Sequence, residues 1–361
     1  MNQKTKIQLS KLTTILVAWL IIALLIGIYD HFAFASDYSL GYSEKYSFLQ
    51  SMGFHIGAAL IASVFGGTFL VFYVDEKYRD KSYGFTIAAV CIGFIVVFIF
   101  ITLVMGLVFV PLVYTGKPLT NPSTVSAYIE YLLNPAHAKN ILVWSIIVGF
   151  TQLFLQINNK FGHGVLLNFI KGRYRNPRRE NRIFMFLDLK SSTSIAEALG
   201  NEKYHQLLKD FFSDITNPII YNKGEIYQYV GDEVVISWTL ENGIENSHCV
   251  KCYFDARERI QALKDKYQEK YGLVPEFKAG LHYGEVIAGE IGIIKRDITY
   301  SGDILNTTSR IQSKCNELNT EFLASTALVK LLQSQNTFNF KSLGPIELEG
   351  KIKSVELSML I

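Results

Sequence analysis

Phe186-Leu187-Asp188-Leu189-Lys190-Ser191-Ser192-Thr193 is the stretch whose reading decides the fold of the second half of this chain. The run Ile183–Leu187 is apolar and of strand length, and it ends in an acid. A small polar loop follows, and helical periodicity sets in over Ser192–Leu199. An acid at the end of a buried strand is costly unless something positive sits on it. A second acid, Asp232, stands in Tyr229-Val230-Gly231-Asp232-Glu233. The runs Glu225–Val230 and Val234–Thr239 flank it, and Gly231-Asp232 between them is a two-residue hairpin signal. Such a hairpin can bring Asp232 to Asp188 across a sheet. Two carboxylates beside a Ser/Thr loop suit two divalent cations gripping a nucleoside triphosphate.

Outward from this pair, strands and helices mix. Helical patterns cover Glu202–Tyr221, Glu245–Tyr271, Asp303–Leu318 (with Asp303 where an N-cap belongs) and Thr326–Gln333. Strand patterns cover Phe277–Tyr283 and Val286–Gly292 around Gly284, then Glu321–Leu323, Phe338–Leu343 and Val355–Met359. This mixture predicts an α+β sandwich, with helices on one face of a mainly antiparallel sheet.

The first 158 residues are of another kind. The whole chain of 361 residues is 49% apolar and only 19% charged, and the apolar excess lies almost wholly in this first part. Four uncharged stretches, Leu12–Tyr29, Ile56–Val74, one within Ser82–Gly116 and Asn140–Asn158, approach the ~20 residues that a spanning helix needs and place the spans near 12–34, 54–74, 83–113 and 138–158. The third is too short for two spans and is expected to be one long or tilted helix with Pro111 near its outer end. Lys4, Lys6 and Lys11 precede the first stretch; Lys77, Arg79 and Lys81 separate the second and third; Lys160, Lys171, Arg173, Arg175, Arg178 and Arg179 follow the fourth. The intervening loops carry only Lys45, Lys117 and Lys139, so an integral membrane protein of the inner or plasma membrane is expected, with both termini cytoplasmic. The first stretch, followed by Ala33-Phe34-Ala35, also resembles a signal peptide, but its length favours an anchor. Residues 159–181 form a basic linker suited to anionic headgroups or to ordinary flanking charge, and residues 182–361 form a second domain with the composition of a soluble one. A net charge of +3 is too small to imply nucleic acid by itself, and no nucleic-acid partner is expected. Cys249 and Cys252 form a C-x-x-C without a second pair, which points to packed thiols and not to zinc.

Four motifs now stand in order: Phe186–Thr193, Gly224–Glu233, Gly280–Gly292 and Ser301-Gly302-Asp303-Ile304-Leu305-Asn306-Thr307-Thr308-Ser309-Arg310. Together they resemble the catalytic domain of class III adenylate/guanylate cyclases, over about Arg182–Leu357. The resemblance implies a ferredoxin-like α+β fold behind a four-helix transmembrane region. It implies that Asp188, Asp232 and the Leu189 carbonyl bind two Mg²⁺ or Mn²⁺ ions. It further implies that the backbone of Lys190, Ser191, Ser192 and Thr193, with Gly231, meets the triphosphate. Asn306 and Arg310, four apart on one helix face, would orient the ribose and stabilise the transition state from the partner subunit of a homodimer. Purine choice falls to Gln228, where adenylate cyclases usually carry Lys and guanylate cyclases Glu, and to Thr299. Thr299 leans to adenine, whereas the Gln228 amide can serve either purine edge. The usual triphosphate lysine before a glycine is replaced by Glu349-Gly350, leaving Lys351 or Lys353 to reach the phosphates. ATP is the expected substrate and cyclic AMP the product. The alternatives are a guanylate cyclase acting on GTP and a non-catalytic nucleotide-binding receptor.

Overall fold

The computed structural model describes residues 3–36, 47–78, 81–161, 172–294, 296–332 and 338–361. Arg79 and the linker residues Gly162, Gly164 and Lys171 lie outside the described residues. The chain divides into two compact units, Lys6–Phe161 and, together with Met1–Thr5, Gly162–Ile361.

The first unit is helical: α1 (Gln3–Ser36), α2 (Phe48–Thr68), α3 (Tyr83–Phe109), α4 (Pro122–Leu132) and α5 (Pro135–Phe161). Four helical stretches, Thr5–Ala33, Phe48–Lys77, Tyr83–Leu112 and Pro122–Lys160, are long and apolar enough to cross a membrane. The third expected span is a single helix. It begins at an N-cap, Ser82, whose side chain accepts from Phe85 N–H, and it loosens into a π-helical turn over Val110–Thr115. Pro111 sits in that turn, where it lacks an N–H and crowds the preceding turn. The loop expected over Lys117–Lys139 contains α4 instead. Asn121 caps that helix, accepting from Ser123 N–H, with Pro122 in its first turn. Polar contacts tie α1, the end of α2 and α5: Lys11 Nζ donates to Asp75 at 2.9 Å and to Asn159 at 2.7 Å. At the other end of the same helices, Lys139 Nζ meets Asp30 at 2.8 Å and His55 lies 3.6 Å from it.

The second unit is built on an eight-stranded sheet: β1 (Arg178–Leu189), β2 (Glu225–Val230), β3 (Glu233–Thr239), β4 (Phe277–Ile291), β5 (Asp297–Ser301), β6 (Phe322–Ser325), β7 (Phe340–Ile346) and β8 (Val355–Leu360). The order is β2-β3-β1-β4-β6-β8-β7, with β5 pairing β4. All pairs are antiparallel except β4 with β6. The strands β2-β3-β1-β4 give the ferredoxin-like order. β1 begins at Arg178, so the last residues assigned to the linker are strand. β4 runs unbroken through Gly284, which pairs with Arg182, where two strands were expected.

The helices of this unit are α6 (Ser192–Leu199), α7 (Asn201–Tyr221), α8 (Leu240–Ile244), α9 (His248–Ala262), α10 (Lys264–Tyr271), α11 (Asp303–Glu317) and α12 (Thr326–Leu332). The helix expected over Glu245–Tyr271 is broken at Leu263 into α9 and α10. Alternation along β1 sorts the layers. Ile183, Met185, Leu187 and Leu189 enter the main core with Leu207, Phe211 and Ile215 of α7 and Val250 and Tyr253 of α9. Phe184 and Phe186 point the other way, onto Val235, Val286 and Ile304 of α11. Helices therefore occupy both faces, not one, because these phenylalanines need their own apolar cover. Cys249 and Cys252 are buried in the main core, and burial alone pushes the Cys249 thiol up to about 12. They are packed thiols.

Candidate active site

Asp188 is the last even-numbered residue of β1, so its carboxyl shares the face of Phe184 and Phe186 rather than that of the main core. Across the ladder it pairs with Glu233 of β3 on one side and Lys278 of β4 on the other. The β2–β3 hairpin turns at Gly231-Asp232, with Val230 opposite Glu233. Gly231 has φ +62°, a left-handed conformation that excludes most side chains at small cost only when the residue is glycine. The turn carries Asp232 into hydrogen-bonding reach of Asp188. The expected meeting of the two aspartates is thus present in the folded chain.

Three acids gather here, Asp188, Asp232 and Glu233. Burial, then the Asp232 charge, raises the Asp188 carboxyl above its ordinary range, with Lys278 pulling the other way. Burial, then Asp188 and Asp232, pushes Glu233 up to about 7. Lys278 Nζ, 3.3 Å from Asp188 Oδ2, offsets only part of this negative charge. Half-buried carboxylates crowded together are a poor arrangement for stability and a good one for a hard cation with oxygen ligands. The donor set therefore fits Mg²⁺ or Mn²⁺. Among the described residues, no group of three or more His, Cys, Asp or Glu side chains is placed to hold a metal ion by itself, so the remaining ligands would come from the backbone and the substrate. His31, His55 and His137 of the first unit form no such group either.

Leu189 buries its side chain in the core, which leaves only its carbonyl for the site. Lys190 departs from expectation. Its N–H donates to the Glu276 carbonyl at 2.8 Å, continuing the β1–β4 ladder, and its ammonium bonds Glu321 at 2.6 Å and Glu276 at 3.4 Å. Its amide is engaged in the sheet, so Lys190 drops out of the set of phosphate donors. It acts as a strut beneath the loop. Ser191 follows in the left-handed region at φ 54°, and α6 starts at Ser192 with no side-chain cap. The Ser192 hydroxyl bonds Tyr204. An uncapped helix start beside two acids has backbone donors suited to an anion carried with cations.

The second set of residues gathers on α11. Asn306 is exposed and Arg310 half-buried on one side of this helix. The Arg310 guanidinium lies against Gly350, where a Cβ would be 3.1 Å from its Nη2. Lys351, the next residue, bonds Asp303 at the start of α11. Asn306, Arg310 and Lys351 thus belong to one helix-and-turn cluster, and none of their described contacts is with Asp188 or Asp232. Gln228 is exposed on β2 beside a bulge, and Thr299 donates from β5 to the Gly289 carbonyl at 3.4 Å. Their neighbours Tyr227 and Tyr300 pack together with ring centroids 5.0 Å apart.

Three residues at this site escaped the sequence reading: Glu233, Lys278 and Gln312. Gln312 Nε2 donates to Asp188 Oδ2 at 2.9 Å. A lysine inside the apolar strand Phe277–Leu281 was the available signal for Lys278, since a buried lysine needs a partner. Glu233 adjoins Asp232 and was overlooked because strand position 233 looked like part of the turn.

Residues 175–360 match the family of adenylate and guanylate cyclase catalytic domains. The chain belongs to this family. Among curated relatives, the chain is 37% identical over 213 residues to adenylate cyclase 2 of Rhizobium meliloti, covering 59% of each chain. It is 28% identical over 184 residues to adenylate cyclase 1 of the same organism, covering 50% of this chain and 27% of that one. The chain thus spans well under two thirds of these relatives' own lengths. A solved bacterial light-regulated adenylyl cyclase shares the fold, with TM-score 0.52 and 23% identity over 63% of this chain and 65% of that one.

Proposed function

We propose that this chain is a membrane-anchored adenylate cyclase that converts ATP to 3′,5′-cyclic AMP and pyrophosphate in a homodimer. The observation that carries the reading is the meeting of Asp188 and Asp232 at the end of the sheet, with the Asp188 carboxyl raised by burial and by the Asp232 charge, and an uncapped helix start beside them. Asp188, Asp232 and the Leu189 carbonyl would hold two Mg²⁺ or Mn²⁺ ions. When bound, such ions acidify the ribose 3′-hydroxyl and neutralise the triphosphate. The backbone of Ser191–Thr193 receives phosphate oxygens. The 3′-oxygen forms its bond to the α-phosphorus, the bond from that phosphorus to the α–β bridging oxygen breaks, and the hydroxyl proton passes to solvent. Arg310 spreads its charge over the phosphoryl oxygens in the transition state, and Asn306 orients the ribose. Both act from the partner subunit. Their separation from Asp188 within one chain supports a site shared between two copies. Lys351 serves the triphosphate once it exchanges Asp303 for phosphate. Gln228 and Thr299 face the base, and the adenylate cyclase names of the relatives favour ATP over GTP. The four long apolar helices anchor the chain in the bilayer with the catalytic unit cytoplasmic, as the lysine and arginine bias of the connecting loops supports.

The test supplies ATP and GTP separately, with Mn²⁺ or Mg²⁺, to membranes containing the protein and measures both cyclic products. Cyclic AMP is expected. Cyclic GMP alone overturns the substrate, and neither product favours a nucleotide-binding receptor. Mixing Asp188→Ala with Arg310→Ala chains should restore part of the activity, because one of the two sites in a mixed dimer is then intact.

A further inference from the structure

Helix α11 has two working sides. Asn306 and Arg310 occupy the accessible side, whereas Gln312 is buried on the side that faces the sheet. Gln312 Nε2 donates to Asp188 Oδ2 at 2.9 Å. The same oxygen has Lys278 Nζ at 3.3 Å, and Lys278 is in turn held by Asn316 Oδ1 at 3.1 Å, one turn beyond Gln312 on α11. The two donors differ in kind. Lys278 brings a charge that competes with a cation for Asp188. An amide N–H fixes the carboxylate without neutralising it.

The position of Gln312 is itself fixed by close contact. Gly280 of β4 lies directly beneath it, and a Cβ there would be 2.4 Å from Gln312 N and 2.7 Å from its Cα. Gly280 pairs with Phe186, two residues before Asp188 on β1. The helix backbone therefore rests on the sheet at the point from which a glutamine side chain reaches Asp188, and neither partner can shift without opening this contact.

We propose that Gln312 is a positioning residue that holds Oδ2 of its own chain's Asp188, leaving Oδ1 for the divalent cation. This rests on the reading of Asp188 as a metal ligand given above. Because Asn306 and Arg310 stand on the same helix, α11 serves the metal half of one site and the transition-state half of the other, and Gln312 acts only on the first. Partners that orient a metal ligand typically contribute about 10- to 100-fold in metal affinity.

Gln312→Met keeps length, volume and helix propensity and removes the N–H. The full-length variant in detergent is titrated with Mn²⁺ in the presence of 3′-deoxy-ATP, which lacks the nucleophile, and bound Mn²⁺ is followed by electron paramagnetic resonance. Affinity about tenfold below wild type is expected, with an unchanged melting temperature in the absence of metal. In an Asp188→Ala background the same substitution should have no further effect. Unaltered Mn²⁺ affinity overturns the proposal, and so does an equal loss in the Asp188→Ala background. A second measurement uses the single-site mixed dimer. Gln312→Met on the chain that supplies Asp188 should raise the Mn²⁺ concentration for half-maximal cyclisation about tenfold, and on the chain that supplies Arg310 should leave it unchanged. Equal effects from both chains would mean a general loosening of α11 and would overturn the assignment. If the wild-type protein forms no cyclic nucleotide, the functional reading fails, and the resonance titration still decides the role of Gln312.

Discussion

Gly280→Ala is the smallest change that should separate the two layers of the active site. A Cβ at Gly280 would sit 2.4 Å from the backbone nitrogen of Gln312 and 2.7 Å from its Cα, whereas ordinary contact begins at 3.4 Å. The obstacle is helix backbone, so no side-chain rotation relieves it. The helix must withdraw by roughly the difference, 3.4 − 2.4 = 1.0 Å. Overpacking of this kind typically costs about 1–3 kcal/mol. In a unit of this size, about 2 kcal/mol lowers the melting temperature by roughly 4–8 °C. The functional cost is larger in proportion. The displacement acts on the Gln312–Asp188 hydrogen bond and on the helix that carries Asn306 and Arg310. A misplacement of ~1 Å in a positioned group can cost about 10²-fold in rate. The assay compares kcat for cyclic AMP formation with thermal melting of the same detergent-solubilised preparation. The expected signature is a folded protein, several degrees less stable, with kcat down about 100-fold at saturating Mn²⁺ and ATP. A variant with wild-type melting and wild-type kcat would refute the close seating of α11 on β4 and, with it, the geometry derived for Gln312.

Two further outcomes follow from the same site. In the metal-free protein Glu233 titrates at about 7 and Asp188 is also raised, whereas both ionise at ordinary carboxylate values once unfolded. Between pH 4.5 and about 7 the folded state therefore holds protons that the unfolded chain has lost, and stability falls as pH rises through that window. The rise in melting temperature caused by Mn²⁺ should grow from about pH 5 to about pH 7.5, and a pH-independent rise in differential scanning fluorimetry would contradict the three-acid cluster. Replacing Gln228 by Glu leaves only acceptors at a position that now both donates and accepts, which suits the N–H groups of guanine. The ratio of kcat/KM for GTP to that for ATP should rise about tenfold, and an unchanged ratio would remove Gln228 from base selection.

The acidic half of the candidate site was legible because its residues break a pattern. Asp188 interrupts an apolar run at the end of a strand, and Asp232 sits beside the glycine of a two-residue turn. Each stands out against neighbours that obey a period of two. The β2–β3 hairpin fell within a residue of its expected bounds, whereas β1 extends from Arg178 to Leu189, well beyond the apolar run Ile183–Leu187 that marked it. The short strand Asp297–Ser301 was not legible, because it is preceded by charged residues and its own alternation is brief. Gly284 suggested a break in β4 that the antiparallel ladder to β1 overrides, since its partner Arg182 continues the pairing on both sides. Helix α4 carries its own signal, the cap Asn121 followed by Pro122 and Ser123, but its 11 residues are too few to stand out as an apolar span.

Gln312 shows where a single sequence stops being informative. A glutamine in an amphipathic helix is compatible with solvent, with the core edge or with a carboxylate, and periodicity gives the three no different weight. What selects among them is the seat that Gly280 makes for the helix backbone, thirty-two positions away in sequence. Neither residue implies the other until β4 is paired with β1 in a register that aligns Gly280 with Phe186 and Lys278 with Asp188. A slip by one residue would turn Phe184, Phe186 and Asp188 into the main core and Met185 and Leu187 out of it, so burying the Asp188 carboxyl among apolar side chains opposes it. The burial of a few hydrophobic side chains on the far face of the sheet thus fixes which donor reaches Asp188. Substituting Met185 or Leu187 by a polar residue should consequently weaken metal binding along with stability, although neither side chain touches the site.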